Sequence, residues 1–313
     1  MADVEKLMGV SADDIEKVMG VAVGDIEKVM GVEIASAVYK VHTFTANGTF
    51  EVTTAGGDVD FLLIAGGGGG RDAGAHEAGG GGAGGMIATS GQSVSATTYA
   101  IVIGAGGSFW SGNDSTGFSA TAVGGGGGGY GTGNPGAGGS SGGVGVSSGG
   151  SLGTGQSATA GQGNVGGNGF TGAGYRAGGG GGAGSAGQAG QSDNNLTGRG
   201  GAPASSSLRT GSAVYYAGGG GGTSDSGAGG YADAQNRGTL GGGWYYDENG
   251  DYEGSGTIGV PDGGTNTGSG GRGESNDMAD ADDGAGGSGI CVIRYRSDEV
   301  VATGGTITEY AIS

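Results

Sequence analysis

Asp60-Phe61-Leu62-Leu63-Ile64-Ala65-Gly66-Gly67-Gly68-Gly69-Gly70 carries an apolar segment directly into an unbroken run of glycine. A short continuous apolar run of this kind reads as a central strand. Working outward, Met86-Ile87-Ala88 and Tyr99-Ala100-Ile101-Val102-Ile103 add strands downstream. Upstream, Val38-Tyr39-Lys40-Val41-His42-Thr43-Phe44 and Gly48-Thr49-Phe50-Glu51-Val52 flank Asn47-Gly48, which predicts a hairpin. The next strand-like segment with the same core character is Gly289-Ile290-Cys291-Val292-Ile293-Arg294-Tyr295-Arg296, far along the chain. A sheet closed by so distant a strand makes the block between them an insertion with its ends held together. Thr306-Ile307-Thr308-Glu309-Tyr310-Ala311-Ile312 adds an edge strand.

Ninety of the 313 residues are glycine, against an average usage of roughly 7%. Collagen requires Gly-X-Y spacing and abundant proline, and this chain has three prolines and consecutive glycines. Disorder is the remaining rival, because fixing each backbone residue costs roughly 1–2 kcal/mol and glycine buries no side chain in return. Against it stand the aromatics spread through the glycine-rich block, Trp110, Tyr130, Phe170, Tyr175, Tyr215, Tyr231 and Trp244, which need something to pack on.

A polyproline-II-type helix has three residues per turn, a rise of about 3.1 Å and no internal hydrogen bonds. Without side chains, such helices can approach to about 5 Å and satisfy each other's N–H and C=O groups sideways. The pure runs at 124–129 and 178–182 are expected inside such a bundle, and the mixed tract 136–143 at its rim. The fold expected is mainly β: a small jelly-roll-like β-sandwich (37–104 plus 289–313) with an inserted polyglycine-II helix bundle (105–288).

Residues 1–36 form a separate unit with an eleven-residue repeat, Val4-Glu5-Lys6-Leu7-Met8-Gly9-Val10, Ile15-Glu16-Lys17-Val18-Met19-Gly20-Val21 and Ile26-Glu27-Lys28-Val29-Met30-Gly31-Val32. An Asp before each unit and a Gly after its apolar pair predict short α-helical repeats. Helices of one or two turns need a partner surface. Val4, Leu7, Met8, Ile15, Val18, Met19, Ile26, Val29 and Met30 are the candidate anchoring residues.

The net charge is −18, and all four lysines fall within the first forty residues. So acidic a body repels phosphate backbones and excludes nucleic acid. A single cysteine, Cys291, permits no internal disulfide and sits in an apolar run as a core thiol. His42 and His76 are the only histidines, and no catalytic or metal constellation forms around them. Asp247, Asn249 and Asp251 depart from a calcium loop at Tyr252, where glycine belongs. No catalytic residues, metal or cofactor are expected, and the protein is not read as an enzyme.

The segments His42-Thr43-Phe44-Thr45-Ala46-Asn47-Gly48-Thr49-Phe50, Phe61-Leu62-Leu63-Ile64-Ala65 with its glycine run, Ile101-Val102-Ile103-Gly104-Ala105-Gly106-Gly107 and Gly289-Ile290-Cys291-Val292-Ile293-Arg294-Tyr295 together resemble the glycine-rich domain found in bacteriophage tail-fibre and adhesin proteins. The N-terminal repeats also look like those opening some phage virion proteins. The resemblance implies a tail fibre or fibre-tip adhesin of the virion, assembled in the host cytoplasm, released by lysis and working extracellularly. It would attach to other virion proteins through the N-terminal repeats and recognise a host cell-surface glycan or outer-membrane protein. A homo-oligomer, a trimer, is expected. The alternative is a capsid decoration or head fibre, or a self-assembling extracellular filament, without receptor binding. Receptor contact is expected from rigid aromatics in loops: Phe109, Trp110, Tyr215, Tyr216, Trp244, Tyr245 and Tyr246.

Overall fold

A computed structural model describes residues 38–53, 56–71, 77–172, 175–191, 198–223, 262–273 and 284–311, with six two-residue strands nearer the N-terminus. Among the described residues there is no helix, and the architecture is mainly β.

The N-terminal repeats correct the helical expectation. β1 (Lys6–Leu7) pairs antiparallel with β2 (Val10–Ser11), β3 (Lys17–Val18) with β4 (Val21–Ala22), and β5 (Lys28–Val29) with β6 (Val32–Glu33). The eleven-residue period therefore reappears as strand register, Lys6↔Ser11, Lys17↔Ala22 and Lys28↔Glu33. A helix this short bears the full nucleation cost with little propagation, whereas the valines of these segments (Val10, Val18, Val21, Val29 and Val32) favour extended pairing.

The main framework is two open antiparallel sheets. β7 (Val38–Phe44), β9 (Gly57–Ile64), β10 (Met86–Val94), β16 (Ile290–Arg296) and β18 (Thr306–Ala311) form one, in the order β10-β9-β16-β7-β18. β8 (Gly48–Val52), β11 (Thr98–Ile101) and β17 (Ala302–Thr303) form the other, in the order β11-β8-β17. The late strand β16 is central, with Cys291 opposite both Phe44 and Leu63.

Asn47-Gly48 does not close a hairpin. β7 and β8 belong to different sheets, so the chain crosses between layers there, and Asn47 Oδ1 instead accepts the N–H of Ile103 at 2.8 Å. Turn chemistry is local, but here Phe44 and Phe50 must both enter the core between the sheets.

The alternation along β9 explains why its sequence is continuously apolar. Val59, Phe61 and Leu63 face the other sheet with Phe50, Ile101, Ile293 and Tyr295, while Leu62 and Ile64 turn to a second cluster with Val41, Ala83, Tyr216, Ile290 and Val292. A strand buried on both faces has no polar side to show. Cys291 lies in the first cluster, where burial pushes its thiol up to about 12 and leaves it unreactive at neutral pH.

One buried polar pair sits among these aromatics. His42 Nδ1 is 2.6 Å from the carbonyl of Gly304, which can only accept, so Nδ1 carries the proton. Nε2 then accepts from the Tyr295 hydroxyl at 2.8 Å. Burial lowers the pKa of His42, holding the ring neutral.

The second cluster roofs the outer face of the five-stranded sheet with pieces of the long insertion. β14 (Ala204–Ser206) and β15 (Val214–Tyr216) pair there, and Leu208 and Val214 pack against the cluster.

Candidate functional site

From Ala65 onward the chain leaves the sheet as a glycine stretch, and Gly79–Gly85 returns antiparallel to it. In Gly79–Gly85, every third N–H returns to the same neighbour. Gly79, Gly82 and Gly85 donate to Gly129, Gly126 and Val123; Gly80 and Ala83 to Gly178 and Gly181; Gly81 and Gly84 to Gly271 and Gly268, all at 2.7–3.2 Å. Its carbonyls at Gly80 and Ala83 accept from Gly143 and Ser140, that of Gly81 from Gly220, and those of Gly82 and Gly85 from Gly68 and Ala65. Six other stretches thus enclose this one.

The stretch 65–70 repeats the pattern. Ala65 and Gly68 donate to Gly85 and Gly82, Gly66 and Gly69 to Asn113 and Trp110, and Gly67 and Gly70 to Gly287 and Gly284. The reason for glycine is space. A Cβ at Gly67, Gly68, Gly80, Gly81 or Gly180 would come closer than 3.0 Å to a neighbouring carbonyl, and none of these residues has a left-handed φ.

The mixed tract corrects the expectation of a rim. Gly136 is partly exposed and Ala137 exposed, yet Ser140 and Ser141 are completely buried. Ser141 Oγ accepts the N–H of Gly166 at 2.9 Å, and Ser140 Oγ that of Asn164 at 3.3 Å. A hydroxyl can stand where a neighbouring carbonyl otherwise would. Thr223 does the same, its Oγ1 accepting from Ala78 N–H at 2.9 Å.

These stretches share a common axis. Ala65, Gly85 and Gly289 adjoin strands β9, β10 and β16, so Gly70, Ala78 and Gly284 lie at the far end. Ala177 donates to Thr223 and Thr223 to Ala78, while Gly273 donates to Gly221 and Gly222 to Gly198, placing all of these at the same end. The segments 72–76, 192–197, 224–261 and 274–283 lie outside the described residues, but each departs from and returns to the described chain there or close by.

Phe109 and Trp110 are exposed at this end, Trp110 by 69%. The Trp110 carbonyl accepts from Gly69 N–H at 2.9 Å, and the Arg71 guanidinium lies 4.2 Å over the indole. The sequence marks Arg71 only by its place directly after a pure glycine run. Tyr215 is partly exposed but sits at the opposite, sheet end, on β15. Tyr216 is corrected: at 1% exposure it belongs to the second core cluster, because alternation on β15 turns it inward, and it is unavailable for surface contact. Trp244, Tyr245 and Tyr246 lie outside the described residues, within the segment that leaves after Thr223. Of the anchoring residues, Leu7, Val18 and Val29 fall in β1, β3 and β5, and the others lie outside the described residues.

Among the described residues no group of three or more His, Cys, Asp or Glu is gathered. No curated protein matches the chain. A family model described as a glycine-rich domain matches residues 44–296, which runs from the end of β7 through the glycine stretches to the end of β16. With that match covering most of its length, the chain belongs to the glycine-rich domain family.

Proposed function

We propose that the chain is a phage virion structural protein, a tail fibre or fibre-tip adhesin, that binds a host surface through loops carried on packed glycine helices. The glycine stretches are polyglycine-II helices. The return of every third N–H to the same neighbour supports this, since three residues complete one turn of such a helix. The two sheets form a small jelly-roll-like sandwich that carries the bundle. Residues 1–36 attach the chain to other virion proteins through their repeated pairings, and the assembled form is a homotrimer on the extracellular particle. The protein acts by binding, without catalysis or cofactor.

The observation that carries this reading is the gathering of loop ends at one end of the bundle, opposite the sheets. Backbone hydrogen bonding makes a rigid base there, and loop sequence can vary without disturbing it. A rigid base also lowers the ordering cost of binding. Fluorescent full-length protein, screened on a panel of bacteria, is expected to label a subset of strains. Replacing residues 224–261 with a short Gly-Ser linker is expected to abolish labelling with the melting temperature retained. Unchanged labelling would refute loop recognition. Immunogold with antibody to the chain is expected to mark virion tails, and label confined to heads would refute the tail assignment.

A further inference from the structure

We propose that Arg71 and Trp110 form a subsite for a carboxylated sugar at the far end of the glycine stretches; the inference rests on the host-attachment reading and names the ligand chemistry of that end. Trp110 is the most exposed of the large apolar side chains among the described residues. Its backbone is held by Gly69, and the stretch carrying it continues through Gly112 N–H to Gly125 and Asn113 N–H to Ala105, each at 2.9 Å. The indole is therefore presented from a fixed main chain.

With Arg71 over one face of a ring still 69% exposed, the opposite face is left to solvent. Such a face accepts the C–H side of a pyranose, while its electron-rich character disfavours a carboxylate directly upon it. The guanidinium supplies what the indole cannot, a planar fork that matches a carboxylate in two parallel hydrogen bonds. Stacking on Trp110 holds that fork before the ligand arrives, so little side-chain freedom remains to be lost. The chain's −18 charge repels anions at long range, so an acidic ligand needs a local cation of this kind. A neutral sugar would offer the guanidinium only hydroxyl acceptors, weaker than a carboxylate, and a cationic ligand would be repelled by it. Phe109, the preceding residue, is also exposed.

The test is isothermal titration of the full chain with trigalacturonic acid and, separately, with its methyl ester, which keeps the ring faces and removes the charge. The acid is expected to bind about tenfold more tightly than the ester, the effect of one charge-assisted hydrogen-bonded contact. Arg71→Gln is expected to reduce the acid to the level of the ester, and Trp110→Ala to abolish both. Equal affinity for acid and ester, binding of neither, or a preference that survives Arg71→Gln would overturn the subsite. Cell labelling with the same variants separates the two claims. Labelling retained by Arg71→Gln without any acid preference leaves attachment standing and removes the subsite; acid binding by a chain that labels no cell does the reverse.

Discussion

The carbonyl oxygen of Gly68 occupies the place that a side chain on Gly81 would need. The two residues belong to neighbouring antiparallel stretches joined by Gly68 N–H to Gly82 O at 2.9 Å, so neither can retreat without breaking that bond and those behind it. Gly81→Ala is expected to cost at least about 3 kcal/mol, at the upper end of overpacking because the obstacle is backbone. Gly149→Ala, where only the Ser147 hydroxyl approaches, at 3.9 Å, is expected to change stability by less than about 0.5 kcal/mol. Urea denaturation of both variants checks the contrast; equal effects would remove the close-packing argument.

Ser141 tests the lattice from the polar side. Its Oγ accepts from the half-buried N–H of Gly166, and Ser141→Ala leaves that donor without this partner. A loss of about 1 kcal/mol is expected, since a half-buried donor regains some water, although alanine is the smaller residue. Ser140→Ala, whose bond to Asn164 is longer at 3.3 Å, is expected to lose less. The order of the two denaturation midpoints decides it.

The β framework was legible because apolar runs such as Phe61–Ile64 and Ile290–Ile293 have few alternatives in a chain so short of large side chains. The role of glycine as a packing residue was legible too, from runs too pure for a linker with scattered aromatics. Three features were hidden for identifiable reasons. Ser140 and Ser141 look like rim residues until a hydroxyl is seen to replace a carbonyl. Tyr215 and Tyr216 are chemically alike, and only the roof over the outer sheet face makes one of them core. Asn47-Gly48 has hairpin chemistry, but whether its flanking strands pair is decided by where the distant β16 inserts. Of the candidate contact residues, Phe109 and Trp110 fall where the loop ends gather, and Arg71 could be recognised only beside them.

The hairpin of β12 (Ser115–Gly117) and β13 (Ala120–Ala122) turns through Phe118 and Ser119, both left-handed, with φ of 52° and 62°. Phe118 is held there by rings, with Phe61 at 5.0 Å and Tyr99 at 5.2 Å between centroids. Ser119 has no such compensation. Ser119→Gly is expected to raise stability by about 0.5–1 kcal/mol as the steric cost of that conformation is relieved. An unchanged or lowered thermal midpoint would contradict the assignment of strain.

His42 makes the fold sensitive to acid above the carboxylate range. Its folded pKa lies below the ordinary 6.5 because the ring is buried, so the unfolded chain binds the proton first. Stability is full above pH 6.5 and is lost as pH falls from there toward the lowered value. His42→Gln is expected to be less stable at pH 7.5 but to lose less between pH 7.5 and 5. Urea midpoints at the two pH values check this, and parallel losses in both proteins would assign the effect elsewhere.

Residue-resolved amide hydrogen exchange tests the central claim most directly, that the glycine stretches are an ordered lattice rather than tethers between aromatics. The amides of Gly66–Gly70 and Gly79–Gly85, each enclosed on all sides by backbone partners, are predicted to be protected as strongly as those of Ile290–Ile293 in the central strand. Exchange of these glycine amides at the rate of an unstructured chain, with β16 still protected, would contradict the account.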